Sequence, residues 1–131
     1  MTKNTGIKRI LVAEDEPSIR RVVAATLQHA GFEADFAANG AEAEAFIAVR
    51  EYDLLIVDIK MPVMNGMELY DWITAEYPAM AQRVLFTTGD VINKEVEQFI
   101  EATGRPYLSK PFSADELIGM VKTNLGRMVK Q

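Results

Sequence analysis

Asp53-Leu54-Leu55-Ile56-Val57-Asp58 holds four consecutive apolar residues between two aspartates and shows none of the alternation of a half-exposed strand. A strand apolar on both sides belongs inside a sheet with helices on both faces, which is the setting of parallel sheets. Upstream, Ile10-Leu11-Val12-Ala13 repeats the pattern and is ended by Glu14-Asp15-Glu16-Pro17, a turn leading into a helix with proline in its first turn. Ile19, Val22, Val23, Thr26, Leu27 and Ala30 recur at helical spacing until Gly31 stops them. Residues 32–37 read as a weaker edge strand, and Asn39-Gly40 turns the chain into an Ala-rich helix through Arg50.

Downstream, Met61-Pro62-Val63-Met64-Asn65-Gly66 is a loop by its Pro and Asn-Gly content, its methionines packing the loop. Met67, Tyr70, Ile73 and Tyr77 mark a helix closed before Pro78. A strand at 83–88, a helix at 94–103, a strand at 107–109 and an amphipathic helix at 113–128 complete five alternating pairs. Strict alternation predicts an α/β fold, a doubly wound parallel sheet with right-handed crossovers.

The 131 residues suffice for one domain, with a core of about 8–126 and short tails. With 14 basic against 19 acidic residues the net charge is −5, and no basic stripe is present to attract a nucleic-acid backbone. Cysteine is absent, which excludes disulfides, thiolate metal sites and a thiol nucleophile, and the single His29 builds no metal cluster. His29 reads as a solvated residue at its helix's carboxyl end. No apolar run reaches the length of a membrane span or a signal-peptide core, so the expectation is a cytoplasmic protein without a membrane partner.

In such a sheet every strand points the same way, and the residues ending strands one, three, four and five converge at one edge. They are Glu14 and Asp15, Asp58, Thr88 and Lys110. Three carboxylates together repel one another, and a hard divalent cation such as Mg²⁺ relieves this while leaving positions open for phosphate oxygens. An ionised aspartate beside it can attack phosphorus. Lys110 supplies a cation and Thr88 a hydroxyl to phosphoryl oxygens, and Gly89 leaves space and a backbone N–H. A cis bond at Lys110-Pro111, a form taken by about one X-Pro bond in twenty, would aim the lysine inward. Singly, each residue also reads as an ordinary cap or turn; their joint placement at four strand ends carries the functional reading.

The segments Leu11-Val12-Ala13-Glu14-Asp15, Val57-Asp58-Ile59-Lys60-Met61-Pro62-Val63-Met64-Asn65-Gly66, Leu85-Phe86-Thr87-Thr88-Gly89 and Tyr107-Leu108-Ser109-Lys110-Pro111-Phe112 resemble the receiver domains of two-component response regulators, from Ile10 to about Leu125. That resemblance implies a flavodoxin-like sheet of order 2-1-3-4-5 with five helices. It implies that Asp58 accepts a phosphoryl group from a phosphohistidine on a sensor histidine kinase or histidine phosphotransfer protein. Asp15, Asp58 and the Lys60 carbonyl would hold Mg²⁺, with Glu14 acting through water, while Thr88 and Lys110 bind the phosphoryl oxygens. Thr88 and Tyr107 would act as the switch, reshaping the surface of the fourth helix, fifth strand and fifth helix (94–103, 107–109 and 113–128), where a downstream protein or a second copy docks. Lys60 and Asp90 flank the path of attacking water and are expected to set the phosphoryl lifetime. Residues 86–90 and 105–112 resemble receivers of hybrid sensor kinases, so the chain reads either as a free-standing regulator or as a piece of such a kinase.

A nucleotide- or flavin-binding domain needs a Gly- or Ser/Thr-rich phosphate loop after strand one, where this chain is acidic. An aspartate-nucleophile phosphatase has a second acid where Lys60 stands. The remaining alternative is a receiver-like interaction module that is not phosphorylated.

Overall fold

The computed structural model of the chain describes residues 6–89 and 93–129, with side chains through residue 126. Strands β1 (Arg9–Ala13), β2 (Glu33–Ala37), β3 (Leu54–Asp58), β4 (Val84–Thr88) and β5 (Tyr107–Ser109) form one sheet in the order β2-β1-β3-β4-β5, with every pair parallel. Between and after them run α1 (Pro17–His29), α2 (Gly40–Val49), α3 (Gly66–Glu76), α4 (Pro78–Ala81), α5 (Lys94–Thr103) and α6 (Ala114–Val129). This is the expected doubly wound arrangement with one helix more than the five expected. Pro78 ends α3 as expected, because the residue before a proline is driven from helical geometry, and Tyr77 lies at φ −141°. The same proline is pre-set for a first helical position, so it opens the single turn α4, which buries Met80 and Ala81. The surface expected on the fourth and fifth helices is therefore that of α5 and α6.

All five residues of β3 and all five of β4 are buried, as the unbroken apolar run of β3 requires. Alternate strand residues feed two cores. Ile10, Val12, Leu54, Ile56 and Leu85 pack with Val23 and Leu27 of α1 and Leu117, Val121 and Leu125 of α6. Leu11, Ala13, Leu55, Val57, Val84 and Phe86 pack against α2, α3, α4 and α5 on the other face. Strand β2 lies at the edge and is mostly half-exposed.

Side-chain caps fix where four of the helices start, Asn93 doing so for α5 by accepting from the Glu95 and Val96 N–H groups. Asn39 accepts from the Glu42 N–H, and Asn65 and Glu68 exchange hydrogen bonds in a capping box. Ser113 and Glu116 make the same exchange before α6. Gly66 has a further reason to be glycine. Its N–H donates to the Ile59 carbonyl at 2.8 Å, and a Cβ there would overlap the carbonyl oxygen of Asp58.

Candidate functional site

The register decides what meets at the carboxyl edge. Ala13 pairs with Val57, Asp58 with Thr87, and Thr88 with Ser109, so Glu14, Asp58 and Lys110 emerge side by side across four strands. The Lys110 N–H donates to the Thr88 carbonyl at 2.8 Å, and the Lys110-Pro111 bond is cis. The lysine Nζ then reaches across to Asp58 Oδ2 at 3.0 Å and Glu14 Oε1 at 2.9 Å.

Every polar group of Glu14 is engaged. Its N–H donates to the Ala37 carbonyl, its carbonyl accepts from the Arg20 guanidinium at 2.7 Å, and its Oε2 accepts from the Glu16 N–H. Arg20 went unnoticed in the sequence, although a base in the first turn of a helix is unusual against the dipole and was a readable signal. It ties α1 to the loop that carries Glu14 and Asp15.

Glu14, Asp15 and Asp58 each offer a carboxylate oxygen within 4.8 Å of the others. Asp58 is 3% exposed. Burial, and then the charge of Glu14, push its carboxyl up to about 6 against the pull of Lys110. Burial alone would lower Lys110, but its hydrogen bond to Glu14 and the charge of Asp58 outweigh that and raise it. Three carboxylates with one ammonium leave excess negative charge in a low-dielectric setting. The donor set, oxygen only, fits a hard divalent ion such as Mg²⁺.

The other expected residues are placed as follows. Lys60 has an exposed side chain in the loop after β3, along a groove shared with Asp15, Asn65 and Met67. Thr88 is buried, and its side chain lines a recess with Val96, Ile100 and Tyr107 on the α5 side of the sheet. Tyr107 is 48% exposed. Thr88 thus reaches the common edge on the opposite face from Asp58, because the side chains of a strand alternate. A Cβ added at Gly89 would lie 3.9 Å from Lys110 Cβ, an ordinary contact, so space alone does not demand glycine there. Asp90 lies outside the described residues.

The response regulator receiver domain family matches residues 10–122. The chain belongs to that family. The receiver domain is 35% identical over 125 residues to the phosphate regulon transcriptional regulatory protein PhoB of Pseudomonas aeruginosa, covering 92% of this chain and 52% of that protein. It is 32% identical over 115 residues to the transcriptional regulatory protein CrdR of Helicobacter pylori, covering 88% of this chain and 54% of that one. It therefore spans about half the length of these curated relatives. Among solved structures it is similar to a CheY-like receiver domain protein of Methanospirillum hungatei, with a TM-score of 0.87, 30% identity, and coverage of 95% of this chain and 98% of that one. It is also similar to the receiver domain of a sensor histidine kinase from Pseudomonas aeruginosa, which carries a magnesium ion coordinated in its active-site cleft. There the TM-score is 0.82 with 26% identity, covering 92% of this chain and 98% of that one. Among the described residues no helix is long and apolar enough to cross a membrane.

Proposed function

We propose that this receiver domain takes a phosphoryl group from a phosphohistidine onto Asp58 and passes the change to a protein partner. The observation that carries this is the buried Asp58 carboxylate, within hydrogen-bond reach of Lys110 and beside the carboxylates of Glu14 and Asp15. An Asp58 oxygen forms a bond to phosphorus as the bond to the donor nitrogen breaks, and that nitrogen keeps the electron pair. Lys110, already pointed at Asp58, follows the charge onto a phosphoryl oxygen. The Thr88 hydroxyl takes another by turning from its recess, and Tyr107 moves into the space vacated. The Gly89 N–H is a further donor. Mg²⁺, held by Asp15, Asp58 and the Lys60 carbonyl and by Glu14 through water, would neutralise the carboxylates and bind a phosphoryl oxygen. The domain catalyses its own phosphorylation and dephosphorylation and turns over no external substrate.

The donor is a sensor histidine kinase or histidine phosphotransfer protein. The readout is the α5–β5–α6 surface, through a downstream protein or a second copy, in the cytoplasm and without nucleic acid on this domain. A charge placed on Asp58 biases a two-state element, as other phosphorylation switches do. Incubation with Mg²⁺ and acetyl phosphate, read by mass spectrometry, is expected to add one alkali-labile phosphoryl to the parent and none to Asp58→Ala. An unlabelled parent favours a module that signals by docking alone.

A further inference from the structure

Position 87 carries a hydroxyl that the chemistry above does not use. Thr87 is 3% exposed. Its carbonyl accepts from the Ile59 N–H at 3.0 Å, but among the described residues its side-chain oxygen has no hydrogen-bond partner. A buried hydroxyl without a partner is uncommon and calls for a reason, because valine would fill the same volume without the desolvation penalty.

Its position supplies one. Thr87 and Asp58 are direct partners in the parallel register of β4 and β3. Two residues before them stand Leu85 and Ile56, both packed in the core against α1 and α6, so alternation puts the Thr87 and Asp58 side chains on one face. Neighbouring strands are about 4.8 Å apart, which brings the hydroxyl one strand's width from the phosphoacceptor. Lys110 reaches Asp58 from the far side of β4. The nearness of its stem to the Cβ direction of Gly89, which shares the Thr87 face, shows that it crosses β4 on that face.

We propose that the Thr87 hydroxyl is a second hydroxyl donor to the phosphorylated Asp58 group, distinct from Thr88 and unengaged until the phosphoryl arrives. The inference rests on Asp58 being the phosphoacceptor. Before transfer Asp58 Oδ2 is held by Lys110, and the hydroxyl has nothing to satisfy. Transfer brings new acceptor oxygens to Asp58 and draws Lys110 toward them. The hydroxyl, a free rotor, then turns to the oxygen that Lys110 releases. As the phosphoryl leaves, Lys110 returns to that oxygen and displaces the hydroxyl. The bond is thus present in the phosphorylated ground state and given up on the way to hydrolysis, which lengthens the life of the phosphoryl group.

The test compares parent, Thr87→Val, Thr87→Ala and Thr87→Ser for melting temperature without phosphodonor and for phosphoryl half-life after labelling with Mg²⁺ and acetyl phosphate. Thr87→Val is expected to melt at or above the parent and to lose its phosphoryl group about fivefold faster, the factor for one ordinary hydrogen bond. Thr87→Ala shortens the half-life alike, and Thr87→Ser, which restores the hydroxyl, recovers most of it. A labelled parent with an unchanged half-life in Thr87→Val overturns the role of Thr87 alone. So does a Thr87→Val protein that melts several degrees lower or fails to fold, since the hydroxyl is then already bonded before transfer. A parent that takes no label overturns the phosphoacceptor reading and this inference with it.

Discussion

Asp58 sits between opposed influences, and their balance has a sign that can be measured. Burial and Glu14 lift its carboxyl from the ordinary 3.8 to about 6, while Lys110 pulls the other way. A carboxyl raised on folding favours the protonated folded state, so its contribution to stability is complete below about pH 4 and is lost as the pH rises through about 6. The metal-free protein is therefore expected to lose on the order of 2 kcal/mol between pH 4 and 7. Asp58→Asn removes the buried charge but keeps the shape. Its urea midpoint at pH 7.5 is expected above the parent's, and its stability profile nearly flat between pH 4 and 7. A parent whose stability rises across that window contradicts the strained acidic cluster. The buried Tyr52, by contrast, is a closed structural unit: its hydroxyl donates to Asp35 at 2.7 Å, and burial and that bond raise its phenol far from any physiological titration.

At the scale of elements, the segment from β3 to α3 sets the surroundings of Asp58. Val63 has φ 67° and is 81% exposed, at the centre of a tight turn closed by the Met64 N–H on the Pro62 carbonyl at 2.7 Å. A β-branched residue resists that backbone region, whereas glycine enters it without steric cost. Val63→Gly is expected to stabilise by about 0.5–1 kcal/mol in urea denaturation, relief of strain exceeding the added unfolded-chain entropy. Gly66→Ala works in the opposite direction. Its Cβ meets the Asp58 carbonyl, which cannot yield without moving β3. A loss of more than about 2 kcal/mol, with slower labelling of Asp58, is expected, and a neutral result would mean that α3 can slide away from the strand. Both elements were legible in the sequence, since Pro62 and Asn65-Gly66 announced the loop and the run ending at Asp58 announced the strand. What periodicity could not see was three-dimensional. Val22 falls on the apolar spacing of α1, yet the buried stripe is Val23 and Leu27, and Val22 lies with Ile19 and Phe112 along an open groove beside Lys110. In β4 the sequence singled out Thr88 alone, and only the register shows that its neighbour Thr87 shares the face of Asp58 while Thr88 shares that of Tyr107.

For the whole molecule, the acidic edge closes one end of both cores, because β1, β3 and β4 each contribute residues to the two faces and end at the site. A domain of this size and single sheet is expected to unfold as one unit, so relief of charge at the edge stabilises all of it. An ion that binds the folded state but not the unfolded one adds RT ln(1 + [L]/Kd). Once Mg²⁺ exceeds its Kd, each tenfold increase adds about 1.4 kcal/mol, or about 5 °C in Tm for a chain of this length. The increment is expected to be full at pH 7.5 and smaller at pH 5, where protons compete for Asp58, whose carboxyl lies near 6 before the ion binds. Asp15→Asn and Asp58→Asn each remove a proposed ligand and a repelling charge, so both are expected to start from a higher metal-free Tm and to show little further rise. Thermal melts over successive tenfold steps of Mg²⁺ at the two pH values measure this directly. A parent Tm indifferent to Mg²⁺ at pH 7.5, with calcium and sodium controls equally flat, would mean that the three carboxylates are balanced by Lys110 alone and hold no ion.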